Sequence, residues 1–371
     1  MAMYSRTRNR GVPPRYPLML VLLLTLVGLL GGCGASTTPG SSTPTATPPP
    51  PQPTPTITVV LKGMITEFQL SASNSQTGDI TAGPDGNLWF TEAIPSTENG
   101  TTSVVGKIGR ITPTGKITEF PLQSNNFASS ITTGPDGNLW FTEVGAIGRM
   151  TPNGQITAFP LPSRSVSGDI TSGSDNTLWF TETIPNPQSA TIVGKIWRIT
   201  TAGQITEFPI STPASHLFSI VSGSDGNLWF TEAVNSGQSG KIGRITPAGQ
   251  ISEFPLSSSY QPVSITAGPD SGLWFTETAS NTGQSGTSGR ITPAGQIREF
   301  PLPSDNQPGD ITVGPDGALW FTGTQIGRIT PAGQISEFPL PSSSNGGEIT
   351  AGPDDALWFT EFGSNKIGRL A

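Results

Sequence analysis

Along most of the chain, apolar residues fall in short clusters bounded by Gly, Pro, Asp, Asn or Ser, a pattern of brief strands and tight turns. One cluster recurs. Trp89, Trp140, Trp179, Trp229, Trp274, Trp320 and Trp358 each sit in a Leu-Trp-Phe-Thr run. An Ile-centred strand and a turn precede each run, as in Ile80-Thr81-Ala82-Gly83-Pro84-Asp85-Gly86. A Gly-Arg-type strand follows, carrying Arg110, Arg149, Arg198, Arg244, Arg290, Arg328 or Arg369. A fourth strand of the type Ile117-Thr118-Glu119-Phe120 completes the unit. The tryptophans recur every 38 to 51 residues, enough for four short strands. Repeats of that length predict an all-β, seven-bladed β-propeller of four-stranded blades.

The turns agree with that reading. Pro84-Asp85-Gly86 presets φ at Pro and tolerates positive φ at Gly. Thr112-Pro113-Thr114-Gly115 fits a hairpin loop with a left-handed Gly. The ordered part begins with a fourth strand, Ile65-Thr66-Glu67-Phe68, and ends with a third, Ile367-Gly368-Arg369-Leu370. The two are expected to pair and close the ring, which removes open sheet edges.

Strand alternation sorts the connections onto two faces. The Pro-Asp-Gly and Thr-Pro-x-Gly turns share one face and barely vary. The loops after each Trp strand share the other and vary widely: Ala93 to Lys107 and Thr183 to Lys195 are long, whereas Val144 to Ala146 is minimal. Variable loops on a rigid scaffold are the usual place for binding. A small-molecule or peptide ligand is therefore expected on the variable-loop face, in a lopsided opening beside taller walls.

That face also gathers acid. Glu92, Glu143, Glu182, Glu232, Glu277 and Glu361 end the Trp strands, with Gly323 breaking the series, and Asp79, Asp169, Asp310 and Glu348 stand before the inner strands at the channel mouth. Clustered carboxylates suit a hard cation, or raise one pKa enough to make a base. Alternatively, the repeated Glu caps a strand end or satisfies a neighbouring blade. The seven Trp read as aromatics buried between blades, and each repeat Arg as a cross-strand partner of an outer-strand Glu such as Glu119 or Glu207. His216, the sole histidine, lies in the link into the fourth blade, where it either contacts a ligand or is solvated. One His supplies no Ser-His-Asp set, and no Cys/His zinc spacing exists.

Composition adds the setting. Only 12% of the 371 residues are charged, while Gly (46) and Pro (36) abound. Residues 1–32 read as a lipoprotein-type signal peptide: Arg6, Arg8, Arg10 and Arg15 precede an apolar stretch from Leu18 to Leu30, and Leu30-Gly31-Gly32-Cys33 follows. Cys33, the only cysteine, is the expected lipidation site; an ordinary signal peptide with an incidental cysteine is the alternative. Residues 33–62 form the lipidated Cys and a Ser/Thr/Pro-rich linker, and 63–371 the propeller. Processing leaves 15 basic against 26 acidic residues, a net charge of −11 that disfavours nucleic acid. A monomer anchored by lipid on the extracytoplasmic side of a bacterial membrane is expected.

The run Ile80 to Glu92, Ile-Thr-Ala-Gly-Pro-Asp-Gly-Asn-Leu-Trp-Phe-Thr-Glu, followed by Lys107-Ile108-Gly109-Arg110-Ile111-Thr112-Pro113, resembles the virginiamycin B lyase family from about residue 63 to 371. The resemblance implies ring opening of streptogramin B antibiotics by elimination across a threonine ester, assisted by Mg²⁺. That chemistry needs a base for the α-proton and a cation for the developing enolate. The family's catalytic histidines fall on Gly309 and Gly347, and its last-blade acidic pair on Asn345 and Glu361. Only Glu361 matches, with Asp310 and Glu348 alongside. The resemblance thus points first to a binding or interaction propeller. Next comes a Mg²⁺-dependent lyase with a rearranged site, in which Glu361, Glu348, Asp310 and His216 are the catalytic candidates and Glu361 and Glu348 the metal ligands. A lactonase-like hydrolase is a third class.

Overall fold

The computed structural model describes residues 64–371 apart from 99–100, 123–125, 163–166, 187–190, 235–238, 258–259, 279–284, 304–305 and 342–344. The expected signal peptide, the expected lipidation site Cys33 and the expected linker lie outside the described residues.

The described strands form seven four-stranded antiparallel sheets arranged as a ring, and no helix is present among the described residues. Blade one runs outward through Gln76–Ala82, Leu88–Glu98, Thr101–Ile111 and Ile117–Pro121. Blade seven is assembled from both ends of the fold: Asn345–Ala351, Leu357–Phe362 and Lys366–Leu370 are completed by Ile65–Gln69. The closure expected from the sequence is present.

Seven apolar clusters lie between blades rather than within them. Trp89 of blade one packs with Leu139 and Phe141 of blade two, and Trp358 of blade seven packs with Leu88 and Phe90 of blade one. Burying such side chains stabilises by about 1.5–3 kcal/mol each, so the ring is held by its joints. Each Trp also stacks on its own outer-strand Phe, with centroids 5.5 Å apart for Trp89 and Phe120 and 5.4 Å for Trp358 and Phe68.

Each indole N–H is satisfied from the turn that starts its strand. Trp89 Nε1 donates to Asp85 Oδ1 at 2.9 Å, and the same bond recurs in all seven blades. Gly86 ends that turn at φ 73°, as the Pro-Asp-Gly signature requires.

The repeat Arg does not pair with the outer-strand Glu. Arg110 lies opposite Trp89 and Thr118, whereas Glu119 lies opposite Gly109. Side chains one register apart point to opposite faces of a sheet. Six of the Arg instead reach the turn Asp, as Arg328 Nε does to Asp316 Oδ2 at 2.6 Å. The outer Glu pairs with a third-strand Lys, as in Lys195–Glu207 and Lys241–Glu253.

Candidate functional site: the channel mouth

The inner strands do not run straight. In six blades the pairing with the Trp strand slips by a β-bulge just before the central Ile, between Thr77 and Ile80 in blade one. Bulges re-aim side chains, here toward the channel. The Thr of Leu-Trp-Phe-Thr fixes the bulge. In every blade its Oγ1 accepts the N–H of the residue before the Ile, at 2.9–3.2 Å. In six blades the same hydroxyl donates to a carbonyl of the next blade, at 2.5–3.2 Å. One repeated hydroxyl thus sets the bulge and stitches neighbours together.

The aimed residues are Asp79, Ser130, Asp169, Ser219, Ser264, Asp310 and Glu348, one per blade. Side-chain hydrogen bonds join them in two runs, Asp79 to Ser219 and Ser264 to Glu348. Ser130 Oγ lies 2.7 Å from Asp79 Oδ2 and 2.8 Å from Asp169 Oδ1. Ser219 Oγ donates to Asp169 Oδ2 at 3.0 Å, and Ser264 Oγ to Asp310 Oδ1 at 2.5 Å. Each Asp also accepts the next blade's Ile N–H: Ile131 for Asp79, Ile220 for Asp169 and Ile349 for Asp310.

Burial raises all four carboxyls, and the charges of other ring acids add to this at Asp79, Asp169 and Glu348. Burial, and next the charge of Asp169, push Asp79 up to about 8. Burial pushes Asp169 up to about 6 against hydrogen bonds from Ile220, Ser130 and Ser219. Burial raises Asp310 as well. Glu348 is raised well above the carboxylate range by burial and then by the charges of Asp310, Asp79 and Asp169. Glu348 also hydrogen-bonds Asp310, which requires a proton between the two carboxyls. The ring is therefore a partly protonated annulus at neutral pH.

Of the expected site residues, the structure brings Asp310 and Glu348 together, while Glu361 lies opposite Gly346 in the same blade as Glu348 and His216 lies in blade four. Glu361 is fully buried near the end of its strand, where Ser364 Oγ donates to its Oε2 at 2.9 Å. The rest of its series is buried too, with Glu232 opposite Lys241 and Glu182 accepting from Trp197 Nε1 at 2.8 Å. Trp197 stands where the other blades have Gly. Glu182 and Glu361 thus have hydrogen-bond partners in their own blades. His216 lies within the strand Ser215–Ser222 rather than in a link, and stacks on Phe218 with centroids 4.2 Å apart. Burial pushes its imidazole down to about 4, so it is neutral at pH 7.

A Mg²⁺ ion seeks six oxygen donors in a tight octahedron. No three His, Cys, Asp or Glu side chains converge closely enough for a metal among the described residues. Such an ion commonly keeps several waters and takes only one or two carboxylates, and Asp310 and Glu348 are the expected site residues that come together here.

Next to the ring, one residue earlier, lie Gly78, Ser129, Gly168, Phe218, Val263, Gly309 and Gly347. The glycines are tight. A Cβ at Gly347 would stand 2.4 Å from Thr360 Oγ1, and one at Gly309 2.9 Å from Thr322 Oγ1. Above this lip rise two long hairpins. Blade one's ladder continues from Ala93 opposite Gly106 to Glu98 opposite Thr101, and blade three's from Thr183 opposite Gly194 to Asn186 opposite Thr191. The long loops expected from the sequence are extended β-arms. Blades two, six and seven turn back quickly at Gly145, Gly323 and Gly363. Among the described residues, the tall walls rise from blades one and three.

This fold and channel mouth define a closed seven-bladed propeller with a polar annulus under an open loop face. The pattern of the virginiamycin B lyase family matches residues 56–236 and 192–371, and the chain belongs to that family. It is similar to a streptogramin B lyase of known structure, with 33% identity over 84% of this chain and 98% of that one and a TM-score of 0.70. It is similar also to a catalytically inactive virginiamycin B lyase from Staphylococcus aureus solved with quinupristin, at 34% identity over 83% and 99% of the chains and a TM-score of 0.69. The Pan2 WD40 domain of Neurospora crassa, 9% identical over 84% and 96% of the chains with a TM-score of 0.59, shares the fold alone. No match is found among curated proteins.

Proposed function

We propose that this propeller is a ligand-binding module held at a membrane surface through Cys33, and that it does not carry out the elimination of its lyase relatives. The reading rests on Gly309 and Gly347, the positions to which the family resemblance assigns its histidines; each is a glycine backed against a threonine hydroxyl. No imidazole faces the channel from blades six and seven. The only histidine sits in blade four as a neutral ring stacked on Phe218. Loss of a general acid–base group costs about 10²–10⁴-fold in rate. The ring carboxyls are already committed, since Asp310 accepts from Ser264 and Ile349 and Glu348 is bonded to Asp310.

The test is turnover of a streptogramin B with Mg²⁺, followed by chromatography with mass detection. Elimination gives a linear product of unchanged mass, whereas hydrolysis adds water. Negligible conversion is expected. Efficient, chelator-sensitive conversion to the isomer would overturn the reading in favour of a lyase with a rearranged acidic site. Glu348→Gln and Asp310→Asn would then be the first variants to assay. For the anchor, Cys33→Ser should move the protein out of the membrane fraction; retention with normal processing would refute lipidation.

A further inference from the structure

Blade five departs from the other six at one place on its outer half. The second residue of the outer strand is Thr66, Thr118, Thr157, Thr206, Ser252 or Ser336 elsewhere, but Arg298 in blade five. Arg298 lies directly opposite the repeat Arg of that blade, Arg290, so two guanidinium side chains share one cross-strand pair and one sheet face. The packing around them differs too. In six blades the repeat Arg covers its own Trp, with the guanidinium carbon 5.4–5.8 Å from the ring centre. In blade five it is Arg298 that takes an aromatic face, 4.6 Å from the centre of Phe300, and Arg290 covers no ring among the described residues. Arg290 lies against Gly272 instead, where a Cβ would stand 3.0 Å from its Cζ, Nε and Nη2 and where other blades carry Asn, Thr or Ala. Its Nε donates to Asp270 Oδ2 at 2.6 Å. Arg149, Arg198 and Arg244 each donate Nη1 to a turn carbonyl of the next blade, but among the described residues the terminal nitrogens of Arg290 meet no such acceptor. Arg298 is exposed and has neither a hydrogen bond nor a carboxylate partner among them. The blade-six turn bordering this joint, Thr330-Pro331-Ala332-Gly333-Gln334, holds no acid.

We propose that Arg290 and Arg298 hold a phosphate group at the joint of blades five and six, on the face of the short turns. The site lies away from the open loop face and does not depend on the binding proposed there. Like charges placed directly opposite each other destabilise a sheet, and an anion between them reverses the sign of that interaction. Asp270 balances the charge of Arg290 but occupies only its Nε, so the terminal nitrogens remain as donors and Arg298 supplies the uncompensated charge. A guanidinium fork fits two oxygens at once. A single fork therefore uses both oxygens of a carboxylate, whereas a tetrahedral phosphate has oxygens for two forks. Both heads are already positioned, one on Asp270 and the other on the Phe300 ring, so little side-chain freedom is lost when the anion seats. Met64 brings the chain in on the same face, so a lipid headgroup and a soluble phosphate are the two sources of that group.

The experiment follows the arginine Nε–H signals of the purified full-length chain by NMR during titration with inorganic phosphate, with acetate and chloride at matched ionic strength as controls. The signals of Arg290 and Arg298 should shift saturably with phosphate, and acetate should bind at least about tenfold more weakly. Arg298→Thr installs the residue of the sister blades, so the variant should fold, which a thermal melt checks. It should weaken phosphate at least about tenfold, the worth of one charge-assisted hydrogen bond. The same titration with a soluble short-chain phosphatidylglycerol separates the sources. Tighter binding than inorganic phosphate, lost in Arg298→Thr, supports a headgroup; weaker binding supports a soluble phosphate. No saturable shift with phosphate, phosphate affinity unchanged in Arg298→Thr, or equal affinity for acetate overturns the proposal.

Discussion

Ile65 lies directly opposite Leu370, the first of five pairs that end with Gln69 opposite Lys366 and complete the seventh sheet. The pairing brings more than backbone bonds. Phe68 stacks on Trp358, Glu67 pairs with Lys366, and Leu70, 3% exposed, enters the cluster between blades seven and one.

Deleting residues 64–70 should therefore lower the melting temperature markedly. One buried side chain, Leu70, and two half-buried ones, Ile65 and Phe68, at up to about 1.5–3 kcal/mol each are a large share of the roughly 5–15 kcal/mol that holds a typical domain. A melt followed by circular dichroism checks it, and an unchanged midpoint would contradict this closure.

The turn aspartates should matter more than the outer-strand glutamates. Asp136→Ala strips the acceptor from the buried Trp140 Nε1 at 2.9 Å and from Asn138, leaving a buried donor unsatisfied. That costs about 1–3 kcal/mol. Glu119→Ala breaks an ion pair with Lys107 near the blade's edge, a change of about 1 kcal/mol or less. Blade two already does without such a pair, with Ala146 and Ala158 at those positions. Chemical denaturation of the two variants would rank them.

Stability should fall as pH rises from about 4 toward 8. Folded Asp79 keeps its proton up to about 8 and Asp169 up to about 6, while both release it near 3.8 once unfolded. Between those limits the folded state binds more protons, so each group costs up to ~1.4 kcal/mol per pH unit. Turn aspartates such as Asp136 and Asp225 are held below 3.8 by their hydrogen bonds to Asn and Trp, although burial opposes this, so their contribution is lost only in stronger acid. Glu348→Gln keeps a donor toward Asp310 without the charge, and should flatten the alkaline decline. Melts at pH 5, 7 and 8.5 would show it, and parallel curves for the two proteins would contradict it.

Much of this was legible in the sequence, because a repeated residue with one structural job prints the same letter in every blade. Trp89 and its six counterparts announce the joints, and the unpaired fourth strand at Ile65 announces the closure. The annulus was only half legible. Asp79, Asp169, Asp310 and Glu348 stand out as acids, but Ser130, Ser219 and Ser264 do the same work at the same place. The signal was position, the residue before each inner Ile, rather than residue type. The bulge was hidden for the same reason, since Gly78, Ser129 and Phe218 share no composition. The Arg pairing was misread because nearness in sequence does not reveal the face of a sheet. Glu361 looked available at a strand end, yet burial depends on the neighbouring blade.

The strand at Ile65 has one more consequence. Third-to-fourth-strand turns lie on the face opposite the hairpin arms, so Met64 and Ala371 meet at the corner where blade seven would otherwise have such a turn. Met64, the first described residue, and Ala371 thus stand side by side on that face. A short linker from Ala371 back to Met64 and a cut at the tip of blade one's arm, past Glu98, would leave all seven sheets intact. The sequence would begin at a different place in the circle while the open face kept its outline.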